Sequence, residues 1–171
     1  MTKEDYLNMN EIVVQQEKLV KFNQFTPGDA LRLGNYLVEK AALEGHTIAV
    51  AIRKLNGSIL FQHLMEGTGL NNQNWMRRKF NTVSLMERSS FGVWLTTKIT
   101  GEDPYASGLE ESEYAFCGGG MPICLQSGET VAILTVSNLP HQIDHQFMIQ
   151  AVADWLEIQI PQIDMALEYK L

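Results

Sequence analysis

The residues of this chain that could do chemistry gather in three places, and the first is Gly67 to Phe80, G-T-G-L-N-N-Q-N-W-M-R-R-K-F. This stretch reads as the end of a strand, a glycine-rich turn and the start of a helix whose first turns hold Arg77, Arg78 and Lys79. A helix N-terminus already carries partial positive charge, so three cations near it need acids, an anionic ligand or a partner to compensate them. Residues three and four apart share a helical face, which lets Trp75, Arg78 and Lys79 project together as an apolar wall beside two cations, with Arg77 pointing elsewhere. Asn71 and Asn72 stand just ahead, and Asn72 is the expected N-cap.

The second place is Cys117 followed by Gly118, Gly119 and Gly120. Consecutive glycines cost about 0.5–1 kcal/mol each relative to alanine in a regular element. They are expected where backbones approach closely or a sheet edge bends. Their amides are also open to a ligand, although G-G-G-x-P lacks the strand-to-long-helix setting of a phosphate fingerprint. The third place is Asp144-His145, in the first turn of a late helix. The aspartate suits that helix end electrostatically, and this role is preferred to a catalytic one. Together these residues predict one ligand pocket of Asn71, Asn72, Trp75, Arg78, Lys79, Cys117 and the Gly118–Gly120 backbone, with His145 reaching in from a neighbouring element. No metal site is expected: Cys117 and Cys124 form no C-x-x-C, and no paired His-Cys spacing occurs.

Composition narrows the class. With 171 residues, 45% hydrophobic and 19% charged, the chain is expected to be one domain, 1–171, with a core of its own. The net charge of −7 argues against non-specific nucleic-acid binding. Its distribution is uneven: residues 53–98 hold seven bases and two acids, residues 99–171 one base and eleven acids. Such a split can serve subunit pairing, intramolecular pairing or an anionic ligand. No secretory signal opens the sequence and no apolar run nears the ~20 residues of a membrane helix. Two cysteines without that signal suit reduced thiols in a cytoplasm.

The elements that must hold these residues can be read in order. A helix is expected over 5–22, and a second from Thr26-Pro27, an N-cap followed by proline at the first helical position, to Gly45 as C-terminal cap. Strands follow over 46–53 and 58–65, joined at Asn56-Gly57 by a type I′ turn with positive φ at both central residues. Small Ala49 and Ala51 on one strand face predict a closely packed neighbour. After the Asn72 helix, Ser89-Ser90 breaks the chain before a segment 91–99, and 101–113 is loop. Short strands flank the glycines, a β-branched strand covers 130–137, a helix runs over 142–159 until stopped by Pro161, and a terminal helix is expected over 165–171. The result is an α+β domain with a mainly antiparallel five-stranded sheet and helices on both faces.

L-x-N-Q-N-W-M-R-R-K at Leu70–Lys79, the Ser89-Ser90 pair, Gly118-Gly-Gly-Met-Pro-Ile, and V-S-N-L-P ahead of Asp144-His145 carry a resemblance. Across nearly its whole length the chain resembles an uncharacterised bacterial and fungal family of the haem-degrading-like (GlcG/HbpS-like) superfamily. The resemblance implies a profilin-like three-layer α/β/α fold and assembly into homo-oligomers, dimers or larger, and it implies no particular reaction. One position departs: the family pattern commonly has His before the Gly-Gly pair, where this chain has Cys117. The leading expectation is a cytoplasmic homo-oligomer that binds a small anionic ligand or acts as a scaffold. The alternatives are an enzyme using Cys117, His145 and Arg78, and a protein that binds haem non-covalently, since no C-x-x-C-H attachment motif is present.

Overall fold

The computed structural model describes residues 1–165. The helix expected over 165–171 therefore lies, but for Met165, outside the described residues. Five helices and four strands follow in the order α1 (Lys3–Leu19), α2 (Pro27–Leu43), β1 (Ala49–Arg53), β2 (Ile59–Leu64), α3 (Leu70–Met86), α4 (Ser90–Thr100), β3 (Gly120–Cys124), β4 (Thr130–Ser137) and α5 (His141–Trp155). The sheet order is β2-β1-β4-β3 and every pairing is antiparallel.

Alternation along β1 decides what lies on each face. Val50 and Ile52 stand opposite Val136 and Leu134 of β4 and join the main core with Leu33 and Leu37 of α2 and Met148 and Val152 of α5. The other face shows Ala49 and Ala51, small enough for α3 to lie close, with Met76 packed directly on them. Phe80 and Val83 of the same helix meet Ile133 of β4. A further cluster joins α1 to α4 through Met9, Val13, Phe91, Trp94 and Leu95. Helices thus cover both faces of the sheet. Val50, Ile52, Val83, Ile133, Leu134, Phe147 and Val152 are buried, and Phe61 is half-buried.

The described sheet has four strands where five were expected. Residues ahead of Gly118 form no strand because side chains of α3 satisfy their backbone: Thr82 Oγ1 accepts from Ala115 N and donates to Ala115 O, both at 3.0 Å, Asn81 donates to Glu113 O at 2.8 Å, and Arg78 to Tyr114 O at 3.2 Å. The hairpin turns at Asn56-Gly57, but only Gly57 is left-handed, at φ 88°. Its amide closes on Lys54 O at 2.8 Å and the register shifts between Ile52 and Arg53, so the turn ends in a left-handed glycine rather than taking the type I′ form. α3 starts at Leu70 with Gly69 as N-cap, and the Asn72 side chain reaches back to accept from Gly69 N at 3.0 Å. α1 is set two residues earlier than its expected start by a Thr2–Asp5 capping box. α5 stops at Trp155, short of Pro161, because Glu157 turns left-handed at φ 56°. At the sheet's far edge Phe22 forms an isolated bridge to Leu125, donating to Cys124 O and accepting from Gln126 N, each at 2.9 Å.

The glycine triplet does mark a close approach. Gly119 has φ 106°, and a Cβ there would sit 2.5 Å from both Lys79 Nζ and Val136 O. Positive φ costs a non-glycine residue roughly 1–3 kcal/mol and overpacking adds a similar amount. Gly119→Ala should therefore lower stability by about 2–6 kcal/mol in urea unfolding. Gly128→Ala, with φ 92° and no atom within 4 Å of the added methyl, should cost only the backbone share.

Candidate functional site

The face of α3 that carries the basic run does not send its cations the same way. Lys79 turns inward, 2% exposed. Its Nζ donates to Asp144 Oδ2 at 2.8 Å and to Val136 O at 2.7 Å, while Asp144 Oδ1 accepts from Leu139 N at 3.1 Å. This pair ties α3 to the end of β4 and the first turn of α5. Burial raises the Asp144 carboxyl, with Lys79 and the Leu139 amide pulling the other way. Asp144 stands in the first turn of α5 but makes no side-chain cap bond there; its oxygens go to the Leu139 amide ahead of the helix and to Lys79. Arg77 turns outward to Glu113 at 2.6 Å and Ser112 O at 2.9 Å, away from the other two as expected.

Arg78 takes a third direction. Its guanidinium lies 4.3 Å from the centre of the Trp75 ring, Nη2 donates to Tyr114 O at 3.2 Å, and Nε is buried without a partner. Trp75, half-buried, stands between two clefts, and Cys117 also borders both. One cleft, of about 250 Å³, is walled by Arg78, Trp94, Lys98, Tyr105 and Phe116. The other, of about 310 Å³, is walled by Asn71, Asn72, Lys79, Asn138 and His141. Asn72 donates there to Asn138 Oδ1 at 3.2 Å. The single pocket expected from sequence is thus two adjoining ones. Lys79, neutralised by Asp144, borders the cleft opposite the one that holds Arg78.

Two expected members are withdrawn from both clefts. The Gly118 and Gly120 amides are engaged, donating to His141 Nδ1 at 3.3 Å and Ser90 Oγ at 2.9 Å, and Gly119 O accepts from Val136 N at 2.7 Å. A Cβ on Gly118 would collide with the His141 carbonyl. The triplet is a packing surface for α5 and α3. His145 faces inward from α5 and is fully buried, its ring stacked on Phe91 at 4.7 Å and its Nε2 paired with Gln16 Oε1 at 3.1 Å. Burial, with His141 and Arg88 adding to it, pushes this imidazole down to about 3. The constellation of Cys117, His145 and Arg78 is therefore not assembled. Burial also pushes the Cys117 thiol up, away from the thiolate that nucleophilic chemistry needs.

The histidine beside the cleft is His141, which sequence reasoning passed over. Its spacing of four from His145 placed both on one helical face, the one signal that could have found it. Trp94, which borders the first cleft while packing on Phe91 at 5.3 Å, had no such signal. His141 lies edge-on to Trp94 at 4.6 Å, and burial with the charges of Lys79 and Lys98 pushes it down to about 4. Haem ligation does not fit these residues: His145 is closed off and bonded, His141 has Nδ1 engaged and its ring held by Trp94 and Phe91, and Cys117 is a buried thiol. Among the described residues no three His, Cys, Asp or Glu side chains group to hold a metal ion, and no helix is long and apolar enough to cross a membrane.

The model of the haem degrading protein HbpS-like family matches residues 25–153. The chain belongs to this HbpS-like family. A UPF0303 protein of Azotobacter vinelandii is 36% identical over 155 residues, 90% of this chain and 92% of that protein. Among solved structures, the Ybr137w protein superposes with a TM-score of 0.79 at 27% identity, covering 86% of this chain and 87% of that one. HbpS superposes with a TM-score of 0.62 at 25% identity, covering 80% and 92%. The family resemblance carried by L-x-N-Q-N-W-M-R-R-K and V-S-N-L-P is thereby confirmed.

The two buried imidazoles make stability depend on pH. Unfolded, both titrate near 6.5; folded, near 4 and 3. Between these values the unfolded chain binds more protons, so stability is full above pH 6.5 and falls as pH drops through the window. At ~1.4 kcal/mol per pKa unit, going from pH 7 to pH 5 should cost about 2 kcal/mol for each histidine. Urea unfolding at the two values checks this, and His145→Phe should remove about half of the loss.

Proposed function

We propose that the protein binds a small anionic ligand in the cleft between Trp75, Arg78 and Trp94, with Cys117 bordering it and Asn71 and Asn72 lining the adjoining cleft. The observation that carries this reading is a cationic, donor-rich lining with little to answer it. Arg78 and Lys98 face Glu111 alone among acids, and the Arg78 Nε and Trp94 Nε1 donors are buried without protein acceptors. A buried donor left unpaired costs about 1–3 kcal/mol, and an anion with an apolar, flat body would satisfy both it and the aromatic walls. Binding rather than turnover is favoured because the cleft presents no activated nucleophile and no base paired to one.

A charge-assisted hydrogen bond contributes about 1.5–3 kcal/mol, so Arg78→Ala should weaken binding of an anionic probe such as 3-phenylpropanoate by roughly ten- to a hundredfold, read by titration calorimetry, with the fold intact. Lys79→Ala should instead unfold the protein more easily, by about 3–5 kcal/mol, because it leaves Asp144 buried and unpaired. An Arg78→Ala variant that binds the probe like the parent removes the reading.

The same reading takes the protein as a cytoplasmic homo-oligomer, a dimer or larger. Support comes from the basic middle and acidic last part of the chain and from Leu43 and Leu70, which stand 89% and 79% exposed. Sedimentation at micromolar concentration in low salt should show a species at least twice 19.3 kDa, and a monomer there would count against it.

A further inference from the structure

The outer strand β2 reads I-L-F-Q-H-L and holds neither a charged residue nor a proline. Exposed sheet edges are commonly blunted by lysines, prolines or bulges, because a free row of N–H and C=O groups templates pairing with another chain. β2 has one such irregularity, the register shift opposite Ile52 and Arg53 at its hairpin end. Beyond it, Phe61 to Leu64 keep a regular register with β1.

One hydrogen bond tells which backbone groups of β2 face outward. Met65 N donates to Ile48 O at 3.2 Å, and opposite residues of an antiparallel pair alternate between bonded and non-bonded. The bonded pairs with β1 are therefore Val50–His63 and Ile52–Phe61, and the N–H and C=O groups of Gln62 and Leu64 point away from it. Among the described residues no strand pairs with that side.

The ends of the strand identify its cover. Lys54, Leu55 and Ile59 stand at the hairpin end and Glu66 and Leu70 at the other, all five exposed. Neither Lys54 nor Glu66 has an ion-pair partner among the described residues. An antiparallel neighbour of the same sequence, related by a two-fold axis, sets each end against the other. Lys54 of one copy then comes to Glu66 of the other and Leu55 and Ile59 to Leu70, each contact made twice. A parallel copy would instead set like charges together.

We propose that β2 pairs antiparallel with β2 of a second copy of this chain, joining two four-stranded sheets into one. This inference rests on the homo-oligomer reading above and names the surface it uses. Gln62 of one copy stands opposite Leu64 of the other, so that both residues exchange their outward backbone bonds, and His63 lies on the two-fold axis.

Sedimentation velocity of the full chain at micromolar concentration in low salt, with circular dichroism to check the fold, tests the pairing. Gln62→Pro removes an outward N–H and keeps a backbone that edge strands accept. The variant should stay folded and associate at least tenfold more weakly, its mass falling to half of the parent's or less. Glu66→Lys sets like charges together at each end and should weaken association about threefold to tenfold, and adding Lys54→Glu to the same chain should restore it. A folded Gln62→Pro variant that sediments like the parent overturns the β2 assignment and leaves the homo-oligomer reading standing. Should Gln62→Pro unfold the chain, the charge exchange decides: no weakening by Glu66→Lys, or a weakening that Lys54→Glu does not reverse, overturns the assignment. A parent that sediments as a single protomer removes both readings together.

Discussion

The buried pair of Lys79 and Asp144 is the constraint around which the other side chains are arranged. Taking an ammonium and a carboxylate out of water costs several kcal/mol each, and the pair recovers that only if its remaining hydrogen-bonding capacity is filled. Val136 O and Leu139 N fill it, and both lie where β4 hands over to α5. The pair therefore fixes the corner at which one strand and two helices meet. Its position leaves no volume beside Nζ, which is why residue 119 must be glycine. A Cys-Gly-Gly-Gly segment that looks like a ligand loop is in this fold the clearance for a salt bridge.

That clearance has a consequence for recognition. Adjacent residues on a helix diverge by roughly 100°, the rotation of a 3.6-residue turn, so once Lys79 is held inward, Arg78 must run along the flank of α3 under Trp75. The run of three bases then supplies one structural cation, one cation that lines the aromatic cleft and one surface pair with Glu113. Trp75 divides the space between the first two roles. The polar cleft with Asn71, Asn72 and His141 and the aromatic cleft with Arg78 and Trp94 are two sides of one wall.

What could be read from the chain follows the range of the forces involved. Thr26-Pro27, Ser89 and Gly45 act within one turn, and the structure places caps or left-handed residues at each. The small Ala49 and Ala51 pointed to a closely packed neighbour, and the structure puts Met76 of α3 there. The errors arise where distant residues decide. Nothing near Ala115 announces that Thr82, 33 residues earlier, takes its backbone hydrogen bonds and prevents a fifth strand. Gln16, far away in α1, claims the Nε2 of His145, and the pairing of Lys79 with Asp144 spans 65 residues. Periodicity located the helix faces. It could not say which of two neighbouring cations meets a buried acid.

The bridge from Phe22 to Leu125 makes the two edges of this sheet unequal. On that edge, β3 carries Pro122, which has no amide to offer, and Phe22 occupies the backbone groups of Cys124 and Gln126. A foreign strand finds that side already filled. The opposite edge, β2, begins at Ile59, 54% exposed, and pairs on its outer side with no strand among the described residues. An exposed edge of this sort is a template for strand addition, so among the described residues the sheet is capped along part of β3 and left open along β2.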